Sequence, residues 1–271
     1  MTASASLLNQ IKELRRSVKI CDAPDAKENP NKVKRLVSET GMLISELQRF
    51  REDISPIHFG SIGITLGRSD SIAKFFAFSF TNQDKVPLKG LFDSPFYGSG
   101  VYAIYYHGNT EEAYAPLSGS ETPIYVGKAN PKNAQAETVE EQGQALFKRL
   151  KEHAKNMEKT NLALSDFYYR ASPIQSGMQA AVEDFMIRLF KPIWNKEIKI
   201  CFGIGKHGDS AQTRKNKRSP WDTMHPGRAW ADETENDQMN RQEIESKITG
   251  HFTEYPPIPD KDHLFKLLSL N

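Results

Sequence analysis

The N-terminal part of the chain carries apolar residues with the period of an α-helix. They recur at three- and four-residue spacing from Leu7 to Val18, with Lys and Arg between them. The segment DAPDAKENPNK breaks this pattern with its Pro and Asn residues, and a second helical run follows in VKRLVSETGMLISELQRFRED. The pattern predicts an N-terminal helical hairpin that serves as a packing arm, as an oligomerisation element or as a clamp on DNA.

The hydrophobic pattern then changes to one typical of β-strands. The segments 58–67 (HFGSIGITLG) and 74–80 (KFFAFSF) are rich in β-branched and aromatic residues and predict strands outside the helical arm. The segment LKGLFDSPFYGSG predicts an aromatic loop. Two further β-type runs follow it, GVYAIYY at 100–106 and PIYVGKA at 123–129. Each of the last two carries a Gly and a Tyr, in mirrored order.

Alternation along the first of these two runs separates its side chains into two faces. Tyr102 shares a face with Ile104 and Tyr106, and we expect one of the two faces to look outward or into a cleft. Gly100 and Gly127 lack side chains at positions where another group can approach the backbone closely. The two runs therefore predict phenols beside bare backbone.

The pattern returns to helix after these strands. Helices are predicted in EQGQALFKRLKEHAKNME and in SGMQAAVEDFMIRLFKP, which ends at Pro192. A polar and basic segment follows at 205–230, and the segment 232–247 predicts a last surface helix. No internal repeat interrupts this order.

Composition narrows the classes of protein that fit. The 271 residues carry a formal net charge of +2, which suits a soluble globular protein, so any nucleic-acid surface must be local. Cys21 and Cys201 cannot build a disulfide framework or a four-thiolate zinc site. The sequence shows neither a signal peptide nor a long apolar run, which predicts a cytoplasmic protein without membrane insertion.

Polar residues on the two later helices supply candidate chemistry. Arg149 and His153 are four residues apart and share a helix face, where Arg suits a phosphate and His can exchange a proton. Glu183 borders an apolar stripe, and a lone carboxylate suits Mg²⁺, which keeps most of its waters. Asn195 follows that helix and could contact a phosphate or position the waters of the metal. Singly, each of these residues also fits an ordinary solvated or packing role.

Their order resembles the GIY-YIG nucleases, named for two tripeptides that read Gly-Val-Tyr and Tyr-Val-Gly here. In that family an Arg on a helix, a metal-binding Glu on a second helix and then an Asn follow the tripeptides. The resemblance covers roughly residues 95 to 197. It implies an α+β fold, with a small, mainly antiparallel sheet flanked by helices and preceded by the N-terminal helical arm. The implied catalytic residues are Tyr102, Tyr125, Lys128, Arg149, His153, Glu183 and Asn195.

The resemblance also implies their roles. Tyr102 would be the general base for water. Since a phenol has a reference pKa of about 10, it requires a nearby cation or an accepting imidazole, and we assign His153 as the proton acceptor or orienting partner. Arg149 would neutralise the scissile phosphate, with Tyr125 hydrogen-bonded nearby and Lys128 as a second cation. Glu183 would bind one Mg²⁺ ion that stabilises the leaving oxygen. The implied products carry a 5′-phosphate and a 3′-hydroxyl.

Two features are similar to the type II restriction-endonuclease branch, some members of which recognise CCGCGG. They are His153, one turn after the Arg, and the tail SPWDTMHPGRAWA. This branch implies double-stranded DNA as substrate, a bacterial cytoplasmic location and a companion methyltransferase. A palindromic site implies a homodimer at minimum, and a tetramer is also open. The connection HGNTEEAYAPLSGSET is longer than usual in the family and leaves the geometry of the hairpin open.

Three segments are predicted: 1–92 as the helical arm plus strands, 93–200 as the nuclease core and 201–271 as a DNA-contacting loop with a C-terminal extension. Arg or Lys pairs well with guanine in the major groove. Trp221 is predicted to be structural, and His225 is left open between a structural role and a phosphate contact. The predicted DNA-binding residues are Lys206, Arg214, Lys215, Lys217, Arg218 and Arg228.

Alternative functions remain open from the sequence. The chain could be a repair or homing nuclease, although no zinc finger or helix-turn-helix pattern occurs. It could also be a nucleic-acid-binding protein whose catalytic centre has lapsed, or a metal-independent RNA-binding domain. Cleavage that depends on Mg²⁺ would separate a nuclease from the two binding proteins.

Overall fold

The structure is a computed structural model, and it divides into two compact units, Met1–Ile64 and Thr65–Asn271. The residues it describes are 3–20, 30–53, 69–174, 177–205, 217–234 and 236–268. Strand segment 58–67 of the sequence prediction lies outside them. In the first unit, helix α1 (Ala3–Ile20) and helix α2 (Pro30–Asp53) confirm the two predicted N-terminal helices. Both expose large apolar side chains, among them Leu8, Val18, Leu36, Val37, Met42 and Ile44.

The second unit is built on a four-stranded antiparallel sheet in the order β1-β4-β2-β3. Its strands are β1 (Val86–Pro87), β2 (Gly100–Tyr106), β3 (Tyr125–Ala129) and β4 (Phe167–Pro173). Its helices are α3 (Ser69–Asn82), α4 (Ala145–Glu158), α5 (Gln179–Phe190), α6 (Pro220–Met224), α7 (Ala229–Asp232), α8 (Arg241–Glu254) and α9 (Lys261–Leu268). The predicted α+β architecture, an antiparallel sheet flanked by helices, is confirmed.

The register of β2 and β3 explains the mirrored tripeptides. Tyr102 lies opposite Gly127, and Tyr125 lies opposite Ile104, so the two tyrosines sit diagonally on one face. A Cβ at Gly127 would lie only 2.5 Å from the Tyr102 hydroxyl. A Cβ at Gly100 would lie 2.1 Å from the carbonyl oxygen of Ser172 on β4. The glycines are therefore needed for close approach by a phenol and by a neighbouring strand.

Both faces of β2 are buried, which corrects the expectation that one face looks outward. Helix α4 covers the face of Tyr102, Ile104 and Tyr106, and helices α3, α5 and α9 cover the other face. The long connection from β2 to β3 buries Tyr114 and Leu117 in the core while β2 and β3 remain antiparallel neighbours. The sheet is thus a middle layer with helices on each side.

Two segments have a structure that the sequence analysis did not predict. Residues 74–80, predicted as a strand, lie in α3, because Ala73, Ala77 and Phe80 are buried with helical spacing while Phe75 and Phe78 are exposed. Strand β4, to which the sequence analysis assigned no element, pairs with β2 along its whole length. The aromatic composition of 74–80 therefore predicted a strand where the structure has a helix, because tertiary packing decided the structure of this segment.

Two further segments differ in detail from the sequence prediction. The predicted aromatic loop, LKGLFDSPFYGSG, contains a 3-10 helix at Leu88–Asp93. The predicted surface helix at 232–247 begins only at Arg241, after Asn240, whose side-chain oxygen accepts a hydrogen bond from the Glu243 N–H at 2.8 Å. It continues to Glu254, and α9 follows it.

Arg228 holds the C-terminal segment together from inside the protein. Its side chain is 1% exposed, it pairs with Asp222 at 2.6 Å, and it donates to the carbonyl oxygens of Gly203 and Ile204 at 3.1 Å each. The guanidinium also lies over two indole rings, those of Trp221 and Trp230. The prediction that Arg228 contacts DNA is therefore corrected: its guanidinium is enclosed by protein.

Replacing Arg228 with methionine is expected to lower the free energy of unfolding by about 3–5 kcal/mol, because it leaves the Asp222 carboxylate buried without its cation. Urea denaturation of the native chain and the variant measures the difference. Arg188→Met is the matched control, since Arg188 pairs with Asp184 at 3.3 Å on an exposed surface and such pairs contribute about 1 kcal/mol or less. An equal, small effect of both substitutions would contradict the structural role of Arg228.

Candidate active site

A buried hydrogen bond joins the first predicted catalytic pair. The Tyr102 hydroxyl lies 2.7 Å from His153 Nε2, and both side chains are fully buried. Strand β2 supplies the tyrosine and α4 supplies the histidine, which shares a helix face with Arg149 as predicted. The imidazole is therefore placed to accept the phenolic proton, which is the contact that the sequence analysis required.

Charge near this pair is set by Arg149. Burial, together with Tyr125, raises the pKa of Tyr102 well above its ordinary value, while Arg149 opposes that rise. Although burial disfavours the guanidinium charge, Tyr102 and Glu152 raise the pKa of Arg149, so this residue remains a cation. Arg149 Nη1 lies 2.6 Å from Glu152 Oε2. At neutral pH the resting site thus holds a neutral phenol next to a permanent positive charge.

Tyr125 connects the two sides of the site. Its ring centroid lies 6.0 Å from that of Tyr102 and 5.1 Å from that of His153. Burial raises the pKa of Tyr125, Arg149 opposes the rise, and Glu183 adds to it. The Glu183 carboxylate is therefore within electrostatic reach of the Tyr125 phenol. Because β3 is the edge strand, residues from both faces of the sheet meet around it.

Glu183 approaches this edge from the face opposite α4. Helix α5 carries it beside the buried Val182 and Met186, and its carboxylate lies 2.5 Å from Lys128 Nζ on β3. The two side chains are 19% and 35% exposed, so solvent reaches both. The predicted second cation is thus bound to the predicted metal ligand.

The donor set at Glu183 fits a magnesium ion. One partly exposed carboxylate is enough for Mg²⁺, which retains several waters and takes further oxygens from a substrate phosphate. Among the described residues, no group of three or more His, Cys, Asp or Glu side chains could hold a metal on its own. This arrangement favours a hard ion that is bound jointly by Glu183, water and substrate, and it disfavours a protein-enclosed zinc site.

Asn195 has a different role from the one predicted. Its side-chain oxygen accepts from the Val126 N–H at 2.9 Å, and its side-chain nitrogen donates to the Val126 carbonyl at 2.8 Å. The side chain is buried and takes the place of a neighbouring strand along the open edge of β3. Asn195 therefore positions β3 and the tyrosine on it, and its polar atoms are not directed at a phosphate.

Comparison with known families agrees with this geometry. Residues 94–252, more than half of the chain, match the family described as the Eco29kI GIY-YIG domain. The chain belongs to this family of restriction-endonuclease nucleases. The match begins just before β2 and continues through most of α8. No curated protein matches the chain. In the part of the chain that the structure describes, no helix is long and apolar enough to cross a membrane.

Within this Eco29kI-type domain, the segment Gly203–Gly205 is packed against α4. Asn156, two turns after Arg149 on α4, donates to the Ile204 carbonyl oxygen at 3.0 Å, which adds to the bonds from Arg228. A Cβ at Gly205 would lie 3.0 Å from Arg149 Nη2. Sequence reasoning missed Asn156 and Gly205. Asn156 lies seven residues after Arg149, on the same helix face, and this spacing was the available signal.

Replacing Gly205 with alanine is expected to lower the turnover rate of DNA cleavage about tenfold, because the added methyl group displaces the Arg149 guanidinium that orients the reacting phosphate. Single-turnover cleavage measures this rate. Gly90→Ala is the matched control, since a Cβ there meets nothing within 4 Å. Unchanged cleavage by Gly205→Ala would show that the position of Arg149 is not critical.

The predicted DNA-binding residues other than Arg228 differ in their surroundings. Lys206, Arg214 and Lys215 lie outside the described residues, and Lys217 is exposed. Arg218 donates to the carbonyl oxygens of Ala231 and Thr234 at 3.2 and 3.0 Å, so it stabilises the C-terminal segment.

Trp221 is fully buried, which confirms its predicted structural role. His225 is also structural, since it is fully buried and bonded to Tyr114, and burial lowers its pKa to about 3.

Proposed function

We propose that this nuclease is a type II restriction endonuclease that requires Mg²⁺ and cleaves double-stranded DNA at a G·C-rich palindrome, with CCGCGG as the first candidate. The observation that carries the proposal is the Tyr102–His153 hydrogen bond beside Arg149, with Glu183 at the same strand edge. The family match supports the nuclease class. The cofactor, the site and the products are parts of the proposal.

Hydrolysis would begin with a proton transfer through the buried pair. Tyr102 accepts a proton from water while its own hydroxyl proton passes to His153 Nε2, so no free phenolate is needed. The water oxygen attacks phosphorus, and the bond from phosphorus to the 3′ oxygen breaks with its electron pair on that oxygen. A proton from solvent completes the 3′-hydroxyl, and the other end keeps a 5′-phosphate.

Charge on the phosphate would be balanced by the cations at the strand edge. Arg149 has the accessible position, with its side chain 31% exposed, and would turn its donors to the phosphoryl oxygens. Lys128 would leave Glu183 for the phosphate when Glu183 holds Mg²⁺. The metal supplies electrostatic stabilisation of the leaving oxygen. Tyr125 would orient the phosphate beside Arg149.

The remaining partners follow from the symmetry of the substrate. One catalytic cluster cuts one strand, so a palindrome calls for a homodimer, and the apolar side chains exposed on α1 and α2 support association into a dimer or tetramer. Lys206, Arg214, Lys215 and Lys217 are proposed as DNA contacts. A companion methyltransferase would protect the same site in the host.

Plasmid digestion followed by sequencing of the ends tests this function. Discrete fragments with one common end sequence, formed with Mg²⁺ and absent with EDTA, are expected. Gel filtration with light scattering is expected to give a dimer or larger assembly. Random nicking would favour a repair-type nuclease, and binding without cleavage under any metal would indicate a lapsed catalytic centre.

A further inference from the structure

A cavity of about 550 Å³ opens beside the catalytic tyrosine Tyr125. Two more aromatic residues, Trp194 and Phe202, contribute to its wall. The backbone of Gly203–Gly205 forms another part, and Lys196 and Gln238 complete the lining with exposed polar side chains. Of the described residues that line this space, none carries a carboxylate. The cavity therefore suits a flat apolar group attached to something anionic.

The cavity has fixed walls. Asn156 and Arg228 hold the Ile204 carbonyl at 3.0 and 3.1 Å, which keeps the Gly203–Gly205 segment in place. Trp194 is 1% exposed, and its indole N–H donates to the Tyr114 hydroxyl at 3.0 Å. Preformed walls lower the ordering cost of binding.

The position of the cavity relates it to the scissile phosphate. The Tyr125 ring lines the cavity and also lies 5.1 Å from the ring of His153 in the catalytic cluster. Gly205 also lines the cavity, and a Cβ added there would lie 3.0 Å from Arg149 Nη2. A phosphate held by Arg149 is covalently bonded to two nucleosides, and each base is one sugar away from it. A base that flanks a phosphate held by Arg149 would therefore lie close to this cavity.

The lining favours a nucleobase over other groups of this size. Aromatic side chains stack on the π-face of any base, and such stacking tolerates different sequences. Gln238 is exposed at the edge of the cavity, where its side-chain nitrogen donates to the Lys217 carbonyl oxygen at 3.4 Å. The Lys196 ammonium adds a cation for a neighbouring phosphate.

We propose that this cavity receives the nucleobase of one nucleotide flanking the scissile phosphate, turned out of the DNA stack. The proposal rests on the proposed nuclease function and adds a base-binding site to it. Withdrawal of that base would free the sugar-phosphate backbone to approach the buried Tyr102. Enzymes that bind an extruded base give up its stacking and pairing in the duplex, and contacts in their pocket compensate for that loss.

A double-mutant cycle between protein and DNA tests the proposal. Gln238→Trp fills the cavity from its exposed rim, Gln238→Ala is the matched control, and Phe202→Ala removes a stacking surface as a second, independent variant. The substrates are the duplex containing the mapped cleavage site and two duplexes with an abasic residue at either flank of the scissile phosphate. KM and kcat are measured for each combination.

The expected result is a KM for the intact duplex that rises about tenfold in Gln238→Trp and in Phe202→Ala, with the rise lost on one of the abasic duplexes. Gln238→Ala is expected to change KM less than about threefold, because an exposed amide contributes little. An equal penalty on all three duplexes would overturn the base site while cleavage itself upheld the nuclease. Failure of the native chain to cleave the intact duplex would overturn the nuclease function and this proposal with it.

Discussion

Replacing Glu183 with alanine is expected to reduce DNA cleavage by about a thousandfold or more, since a carboxylate-held metal supplies several kcal/mol of transition-state stabilisation. Folding should be unaffected, because the Lys128 ammonium that Glu183 leaves is 35% exposed and can be hydrated. Affinity for DNA in the presence of Ca²⁺, measured by fluorescence anisotropy, should change only a few-fold.

Asp184→Ala is the matched control for this substitution. Asp184 follows Glu183 on α5, carries the same group, and is 69% exposed in an ion pair with Arg188. It should cleave at the native rate. Equal loss of activity in both variants would point to the helix as a whole, and equal retention would remove Glu183 from the site.

Replacing Tyr102 with phenylalanine is expected to lower the single-turnover cleavage rate by about 10²–10⁴-fold, the range of general acid–base catalysis. The substitution removes the hydroxyl that lies 2.7 Å from His153 Nε2 and keeps the ring that packs against Gly127.

Tyr106→Phe serves as the matched control for Tyr102→Phe. Tyr106 lies on the same face of β2, is fully buried, and accepts a hydrogen bond from the Glu111 N–H at 2.9 Å. Its loss should lower stability by about 1 kcal/mol and leave the rate unchanged. A native rate in Tyr102→Phe would assign the general base to another group.

Tyr102 and His153 meet in the structure as the sequence predicted, because the signal for their faces is local. The alternation of 100–106 and the four-residue spacing of Arg149 and His153 each fix a face of one element, and the packing of α4 against β2 then brings Tyr102 to His153. The reason for the mirrored glycines is visible only in the register of the two strands, which places Gly127 opposite Tyr102. The spacing of residues in the sequence does not determine that register.

The incorrect predictions concern residues whose structure is decided by tertiary contacts. The segment 74–80 is aromatic enough for a strand, and only burial of Ala73, Ala77 and Phe80 against the sheet selects a helix. Arg228 stands in a basic segment, but its partner Asp222 lies six residues earlier and closes an internal ion pair. A charge pattern does not distinguish such a pair from a DNA-binding surface.

Plasmid cleavage by the native chain and by Glu183→Ala, side by side with Mg²⁺ and with EDTA, decides whether the protein is a metal-dependent nuclease that acts through Glu183. Discrete fragments are expected from the native chain with Mg²⁺ alone, and intact plasmid is expected in the other three reactions. Cleavage by the native chain in EDTA, or the same fragments from Glu183→Ala, would contradict this expectation.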